Sequence, residues 1–262
     1  MKFGAYQFCG SDSIAQNFKH ICRGIHQAAQ RQVRFLVFHE CALTGYPPLH
    51  TALSGIDFAY AEHCLQQIAA LAKENAMYLA VGSVTRHPSG PCGNFACHNS
   101  ILVFSPQGTA LTPYHKRALW GWDREHFIEG ENDGIYQIDH LRVGIRICFE
   151  VRFPEFFREL YKANADLCVI SFCDIRKQEN SWRYQLITGH LQTRAVENVM
   201  PVLSVNDSAF FQTAPTAAID IHGEVEQCLS PTEEGLLLYE YEPQEAQFGE
   251  LGRRFINDRL VK

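Results

Sequence analysis

No segment of this chain approaches the roughly 18 to 20 uninterrupted apolar residues of a membrane span, so a helical membrane protein is not expected. Basic blocks are missing too: 23 Lys and Arg are dispersed among 29 Asp and Glu, giving a net charge of −6. That leaves no electrostatic footprint for nucleic acid or for an anionic membrane surface. The opening Met1-Lys-Phe-Gly-Ala-Tyr-Gln7 has neither a long apolar run nor a small-residue cleavage site. No secretory signal is expected, and the chain reads as cytoplasmic. Ten cysteines include no C-x-x-C pair; the spacings Cys92/Cys97 and Cys168/Cys173 each leave four residues between. Structural zinc sites commonly use tighter pairs, so most of these thiols are expected to be small core residues in a reducing compartment. A Pro/Gly/Ser-rich linker, a low-complexity segment and an internal repeat are all lacking. One domain over 1–262 is therefore expected, with 241–262 a polar tail lying on the body or on a neighbouring subunit.

What is present suits a large core, with 46% apolar residues and 12% aromatics. Residues 2–8 read as a strand and 13–31 as an amphipathic helix with Ile14, Phe18, Ile21, Ile25 and Ala28 on one face. Val33 to His39 is a nearly continuous apolar strand, expected to be buried on both faces. A helix follows at 58–75 and a strand at 77–84. Asn99–Phe104 and Gly108–Tyr114 read as a hairpin around the turn residues Ser105-Pro-Gln-Gly108. Further strands are expected near 134–138, 141–147, 166–172, 202–206, 216–221, 224–228 and 234–240, with helices from 154 and over 181–198. Interleaving of this kind predicts an α/β domain of sheets covered by helices.

Within that frame Cys148 is the most informative residue. Val143, Ile145 and Ile147 alternate with Arg142, Gly144 and Arg146, the period of a half-buried strand. Pro154 then suits the first turn of a helix. The thiol sits at a sharp strand-to-helix corner, where a fold can expose a nucleophile and surround it with backbone N–H groups. A buried structural cysteine is the plainer alternative, but Arg146, Glu150, Arg152 and Glu155 crowd this one with charge. A catalytic thiol needs a base or a positive charge nearby. None of the twelve histidines is singled out by its surroundings, although a Cys–His pair stays possible. Glu40, at the end of the apolar strand, is placed for its pKa to rise by desolvation and to act as a general base; a turn or cap carboxylate is the alternative. Lys116 closes the second hairpin strand, where a solvated gatekeeper is the alternative. All three lie at strand ends, where open α/β sheets build their sites.

At this point the sequence resembles the carbon–nitrogen hydrolase (nitrilase-like) family, whose members use a Glu-Lys-Cys triad. The resemblance rests on Ala5-Tyr-Gln7, Phe38-His-Glu-Cys-Ala-Leu-Thr-Gly-Tyr46, Asn99-Ser100 through Lys116-Arg-Ala-Leu119, and Cys148-Phe-Glu-Val-Arg-Phe-Pro-Glu155. Arg194-Ala-Val-Glu-Asn198 and Gly223 continue it. It implies a four-layer α-β-β-α sandwich of two mixed sheets, pairing into a homodimer or higher homo-oligomer. It implies Glu40 as base, Cys148 as nucleophile, and an oxyanion held by Lys116 and the backbone N–H of Phe149, without metal or organic cofactor. The expected substrate is a small linear amide or N-carbamoyl compound. Tyr46, Glu150, Cys173 and Asp174 are expected to contact it, and Arg176 and Lys177 to meet a substrate carboxylate if they are not simply solvated.

Three departures bear on that reading. His39 replaces a usual proline before the glutamate. Many amidase-like members carry a second glutamate four residues before the residue matching Phe127, beside the lysine. Here that position is Asp123, one methylene shorter, so either the loop moves inward or Glu125 substitutes; Asp123 is expected. Phe149-Glu150 replaces the Trp-Glu of nitrile-hydrolysing members, which favours amides over nitriles. A nitrilase, or a member that keeps the fold for binding alone, are the alternative functions.

Overall fold

A computed structural model describes residues 1–47, 49–87, 96–243 and 246–260. Cys92, part of the sequence reading, lies outside the described residues. In chain order the first elements are β1 (Lys2–Gln7), α1 (Ile14–Gln30), β2 (Phe35–Phe38), α2 (Phe58–Glu74), β3 (Tyr78–Arg86) and β4 (Cys97–Phe104). Next come β5 (Tyr114–His115), α3 (Trp122–His126), β6 (Ile135–Ile138), β7 (Leu141–Ile147), α4 (Pro154–Lys162), β8 (Leu167–Phe172) and β9 (Ile175–Arg176). The last are α5 (Ser181–Asn198), β10 (Val202–Asn206), β11 (Phe211–Gln212), β12 (Ala217–Ile219), β13 (Val225–Cys228), β14 (Gly235–Glu240) and α6 (Phe248–Leu260).

Two six-stranded sheets form, in the orders β14-β1-β2-β3-β4-β5 and β13-β12-β10-β8-β7-β6. Each has three parallel strands at its centre and antiparallel strands outside them, so both sheets are mixed. Alternation along β2 shows why they stack. Phe35 and Val37 point into the apolar layer between the sheets, with Ile145, Ile147, Val169 and Val205. Leu36 and Phe38 point the other way, into the layer under α1 and α2. A third layer joins the second sheet to α4 and α5 through Phe157, Leu160, Ile170 and Leu191. The architecture is the four-layer α-β-β-α sandwich the resemblance implied. Side chains cap the helices where the sequence supplies them: Ser13, Asp57 and Asn180 accept from the N–H three residues on.

Several local expectations need correction. β7 is buried on both faces from Val143 onward, with only Arg142 exposed, because Arg146 is fully buried and its guanidinium donates to the carbonyls of Phe156, Asp133 and Ile145. The second hairpin strand shrinks to Tyr114–His115, preceded by irregular chain carrying Pro113, which has no N–H for a ladder. The tail is not featureless: α6 bonds back to the body through Asn257 to Glu197 O and Tyr161 to Asp258. Its Leu251, Phe255 and Leu260 face solvent. The nine described cysteines are all free thiols. Among the described residues no helix is long and apolar enough to cross a membrane.

Candidate active site

The C-terminal ends of β2 and β7 and the short β5 converge on one corner of the sandwich. β7 stops at Ile147, and Cys148 opens a 3-10 turn that runs to Arg152 before Pro154 starts α4. Cys148 adopts φ 44°, the left-handed region that a residue with a side chain enters at a cost of order 1–3 kcal/mol. Glu150 locks this corner. Its Oε2 accepts from the N–H of Ile147 (2.6 Å), and its Oε1 accepts from Tyr114 Oη (2.8 Å) and the N–H of Arg117 (2.7 Å). Phe149 lies in the first turn after the strand, where helix geometry gives its N–H no internal acceptor.

Glu40 follows β2 and is 1% exposed. The chain can turn there because Gly82 of β3 lies beneath it; a Cβ at 82 would meet His39 O at 2.1 Å and Cys41 N at 2.5 Å. Oε1 accepts from Asn99 Nδ2 (2.6 Å) and Lys116 Nζ (2.8 Å), and Oε2 from the N–H of Cys173 (2.9 Å). The Cys148 thiol lies close enough to this carboxylate for the carboxylate's charge to act on it. His39 is buried against Phe8, with ring centroids 4.5 Å apart, and its Nδ1 bonds to the carbonyl of Glu40.

Lys116 is clamped by its backbone between Asn99 O (2.8 Å) and Gly130 N (3.0 Å). Its ammonium has a second carboxylate partner, Asp123 Oδ2 at 2.7 Å. The reach comes from α3, a single turn on which Asp123 and Phe127 share the inward face. Glu125, two residues on, points away and is exposed. Asp123 thus occupies the second-carboxylate position beside the lysine and Glu125 does not. Tyr46 donates to Asp123 Oδ1 at 2.6 Å.

Burial raises the Glu40 carboxyl above the usual carboxylate range, Lys116 opposing that rise and Asp123 adding to it. Burial also works against the Lys116 charge, yet Glu40 and Asp123 outweigh it and hold the ammonium well above the ordinary lysine range. The Cys148 thiol is pushed well up by burial and then by Glu40, with Lys116 opposing. At neutral pH the corner therefore holds an ammonium between two carboxyl groups and a protonated thiol.

These groups open onto a cavity of about 600 Å³. Lys116, Asp123, Cys148 and Cys173 line it, with Tyr46, Trp120, Trp122, Phe149 and Ile175 as apolar walls. Asp174 lines it as well, held by a bidentate contact with Arg183 at 3.0 and 2.7 Å. Arg176 and Lys177 lie at its rim and are exposed. The sequence reading had grouped Tyr46, Cys173, Asp174 and Glu150 as substrate contacts, and only the first three border the cavity. Glu150 is the correction: it is fully buried, with both oxygens taken up by the corner itself. Asn99, Trp120, Trp122 and Arg183 were missed. The polar His98-Asn-Ser100 at the head of the apolar Ile101–Phe104 run was the available signal for Asn99.

Among the described residues, one further group has metal-ligand spacing: His50, Cys173 and Asp207, whose ligating atoms lie within 4.8 Å of one another. His50 Nδ1 accepts from the N–H of Tyr46 at 3.1 Å. A neutral ring that accepts at Nδ1 carries its proton on Nε2, so it offers this space an N–H rather than a lone pair. As oriented, the trio does not form a ligand set.

The carbon-nitrogen hydrolase family model matches residues 4–248. An omega-amidase NIT2 from Xenopus tropicalis is 26% identical over 62% of this chain and 60% of its own. A 2-oxoglutaramate amidase from Bacillus subtilis is 26% identical over 65% of this chain and 62% of its own. The chain thus spans less than two thirds of the length of these relatives. A solved variant of the amidase from Nesterenkonia sp. AN1, in complex with butyramide, superposes with a TM-score of 0.78 at 18% identity, covering 91% of this chain and 89% of that one. The chain belongs to the carbon-nitrogen hydrolase family.

Proposed function

We propose that the protein hydrolyses the C–N bond of a small linear amide or N-carbamoyl compound through a thioester on Cys148. The observation that carries this is that Cys148 and Lys116 line one cavity, with Glu40 buried against the Lys116 ammonium at 2.8 Å. Glu40 takes the thiol proton as sulfur attacks the carbonyl carbon. The negative charge that develops on oxygen is met by the Lys116 ammonium and the N–H of Phe149. Glu40 passes the proton to the departing nitrogen, ammonia or an amine leaves, and the acyl group stays on sulfur. Water, giving a proton to Glu40, then adds to the thioester; the carboxylic acid leaves and the thiol is restored. Asp123 keeps Lys116 charged and aimed throughout. The expected homodimer or higher homo-oligomer belongs with this proposal.

The rim sharpens the substrate. Lys116 is matched by Glu40 and Asp123, and Arg183 by Asp174, whereas Arg176 and Lys177 have no ion-pair partner among the described residues. On a chain of net charge −6, two unmatched cations at a pocket mouth favour an amide that ends in a carboxylate. The 2-oxoglutaramate in one relative's name is such a molecule. The test is ammonia release from paired amides of equal length, one neutral and one ending in a carboxylate, beside a matched nitrile. Turnover of the amides with preference for the carboxylated one is expected. Turnover of the nitrile alone, or of nothing in an amide and ureido panel, would contradict the proposal.

A further inference from the structure

Behind the cavity wall lies a buried carboxylate that the reaction above does not use. Asp207, just past β10, is fully buried, and its two oxygens are committed differently. Oδ1 accepts from the N–H groups of Gly10 (3.1 Å) and Ala209 (2.6 Å). With that oxygen pinned, Oδ2 is turned toward His50 Nε2 at 3.5 Å and Cys173 Sγ at 3.9 Å. The proton on His50 sits on the nitrogen facing Oδ2, because the opposite nitrogen accepts from Tyr46. The donor at Tyr46 N selects that tautomer, and Oδ2, 3.5 Å away and outside hydrogen-bond geometry, favours a proton on the nitrogen facing it.

Both neighbours of Asp207 lead back to the candidate active site. His50 holds the backbone of Tyr46, whose hydroxyl donates to Asp123, the second carboxylate on Lys116. Cys173 gives its thiol to Asp207 and its N–H to Glu40 Oε2, and Glu40 accepts from Lys116. The contacts close a ring that runs from Asp207 through His50, Tyr46, Asp123, Lys116, Glu40 and Cys173 back to Asp207. We propose that Asp207 is a positioning residue for this site, setting the His50 tautomer and the Cys173 thiol so that both carboxyl partners of Lys116 are held from behind. It borders neither the cavity nor Cys148. The inference rests on the Glu40, Lys116 and Cys148 reading.

Asp207→Asn tests it with almost no change of shape. The side-chain oxygen must stay on Gly10 and Ala209, so the new amide nitrogen faces the His50 N–H, donor against donor. The ring relieves this by moving its proton to Nδ1, which then opposes the N–H of Tyr46. The variant is expected to lose about 10- to 100-fold in kcat on a small amide, with KM changed little, because alignment of reacting groups is lost rather than substrate contact. Its His50 ring 15N signals, assigned by their loss in His50→Ala, are expected to switch tautomer. His50→Gln, on a partly exposed loop, is expected to lower kcat in the same way. Adding it to Asp207→Asn should cost little more, since the two act through one contact. Unchanged kcat in His50→Gln, or an Asp207→Asn protein that keeps kcat or loses it with the tautomer intact, would overturn the proposal. Undiminished turnover in Cys148→Ala would instead overturn the reading on which it rests, whatever Asp207 does.

Discussion

Glu40 and Glu150 both lie near Cys148, and neither is more than 1% exposed. Both follow an apolar strand, and both looked suited to a site in the sequence. Their surroundings separate them. Glu150 is closed off by the N–H groups of Ile147 and Arg117 and by Tyr114, and these donors tie the thiol's corner to the lysine segment. Glu40 takes its bonds from Asn99, Lys116 and Cys173, and its charge also acts on the Cys148 thiol. Burial raises its carboxyl, with Lys116 working against the rise. Burial alone does not make a base; an oxygen within reach of the proton to be moved does.

The largest effects should separate the two glutamates cleanly. Cys148→Ala, Lys116→Ala and Glu40→Gln are each expected to lower kcat/KM on a small amide by about 10³-fold or more, with thermal unfolding close to wild type. Activity near wild type in any one would break the assignment on the Glu40 side. Glu150→Gln should act on the fold instead. Its amide cannot accept from all the donors gathered there, and leaving a buried donor unsatisfied costs about 1–3 kcal/mol. Urea unfolding is expected to show that loss. A variant as stable as wild type but inactive would move Glu150 into the chemistry.

A smaller effect concerns pH. The proposed mechanism needs Glu40 deprotonated, so kcat/KM should rise with pH through the Glu40 carboxyl's own titration. Because that group is raised by burial, the acid limb should lie above the usual glutamate value of about 4.3. Glu150→Gln should leave the limb where it is. A limb at the ordinary carboxylate value would show that Glu40 is not the group that titrates.

Much of this contrast was legible in the sequence, and the illegible part has identifiable causes. β2 and β8 could be read because their side chains alternate between two apolar layers, and β7 because Val143, Ile145 and Ile147 of one layer alternate with Arg142, Gly144 and Arg146. Cys148, Glu40 and Lys116 could be picked out because a charge or a thiol ends each apolar run. Asp123 and its contact with Lys116 were expected through the family resemblance and not from periodicity, because α3 is one turn long and too short to show a period. Glu150 was misread because sequence does not tell which way a side chain turns within a 3-10 turn. α6 read as a polar tail because its ties to the body are hydrogen bonds from Asn257 and Tyr161, which leave no apolar pattern. The ring through Asp207 joins residues far apart in the chain, and no local spacing announces it.

The central claim is that Cys148 carries the acyl group. Intact-protein mass spectrometry on Glu40→Gln, mixed with a small amide and quenched with acid, tests it most directly, since loss of the base should let an acylated species persist. The account predicts a mass increase equal to the acyl group, located by peptide mapping on Cys148 and absent when Cys148→Ala is added. An adduct on Cys41 or Cys173, or full turnover by the Cys148→Ala protein, would contradict it.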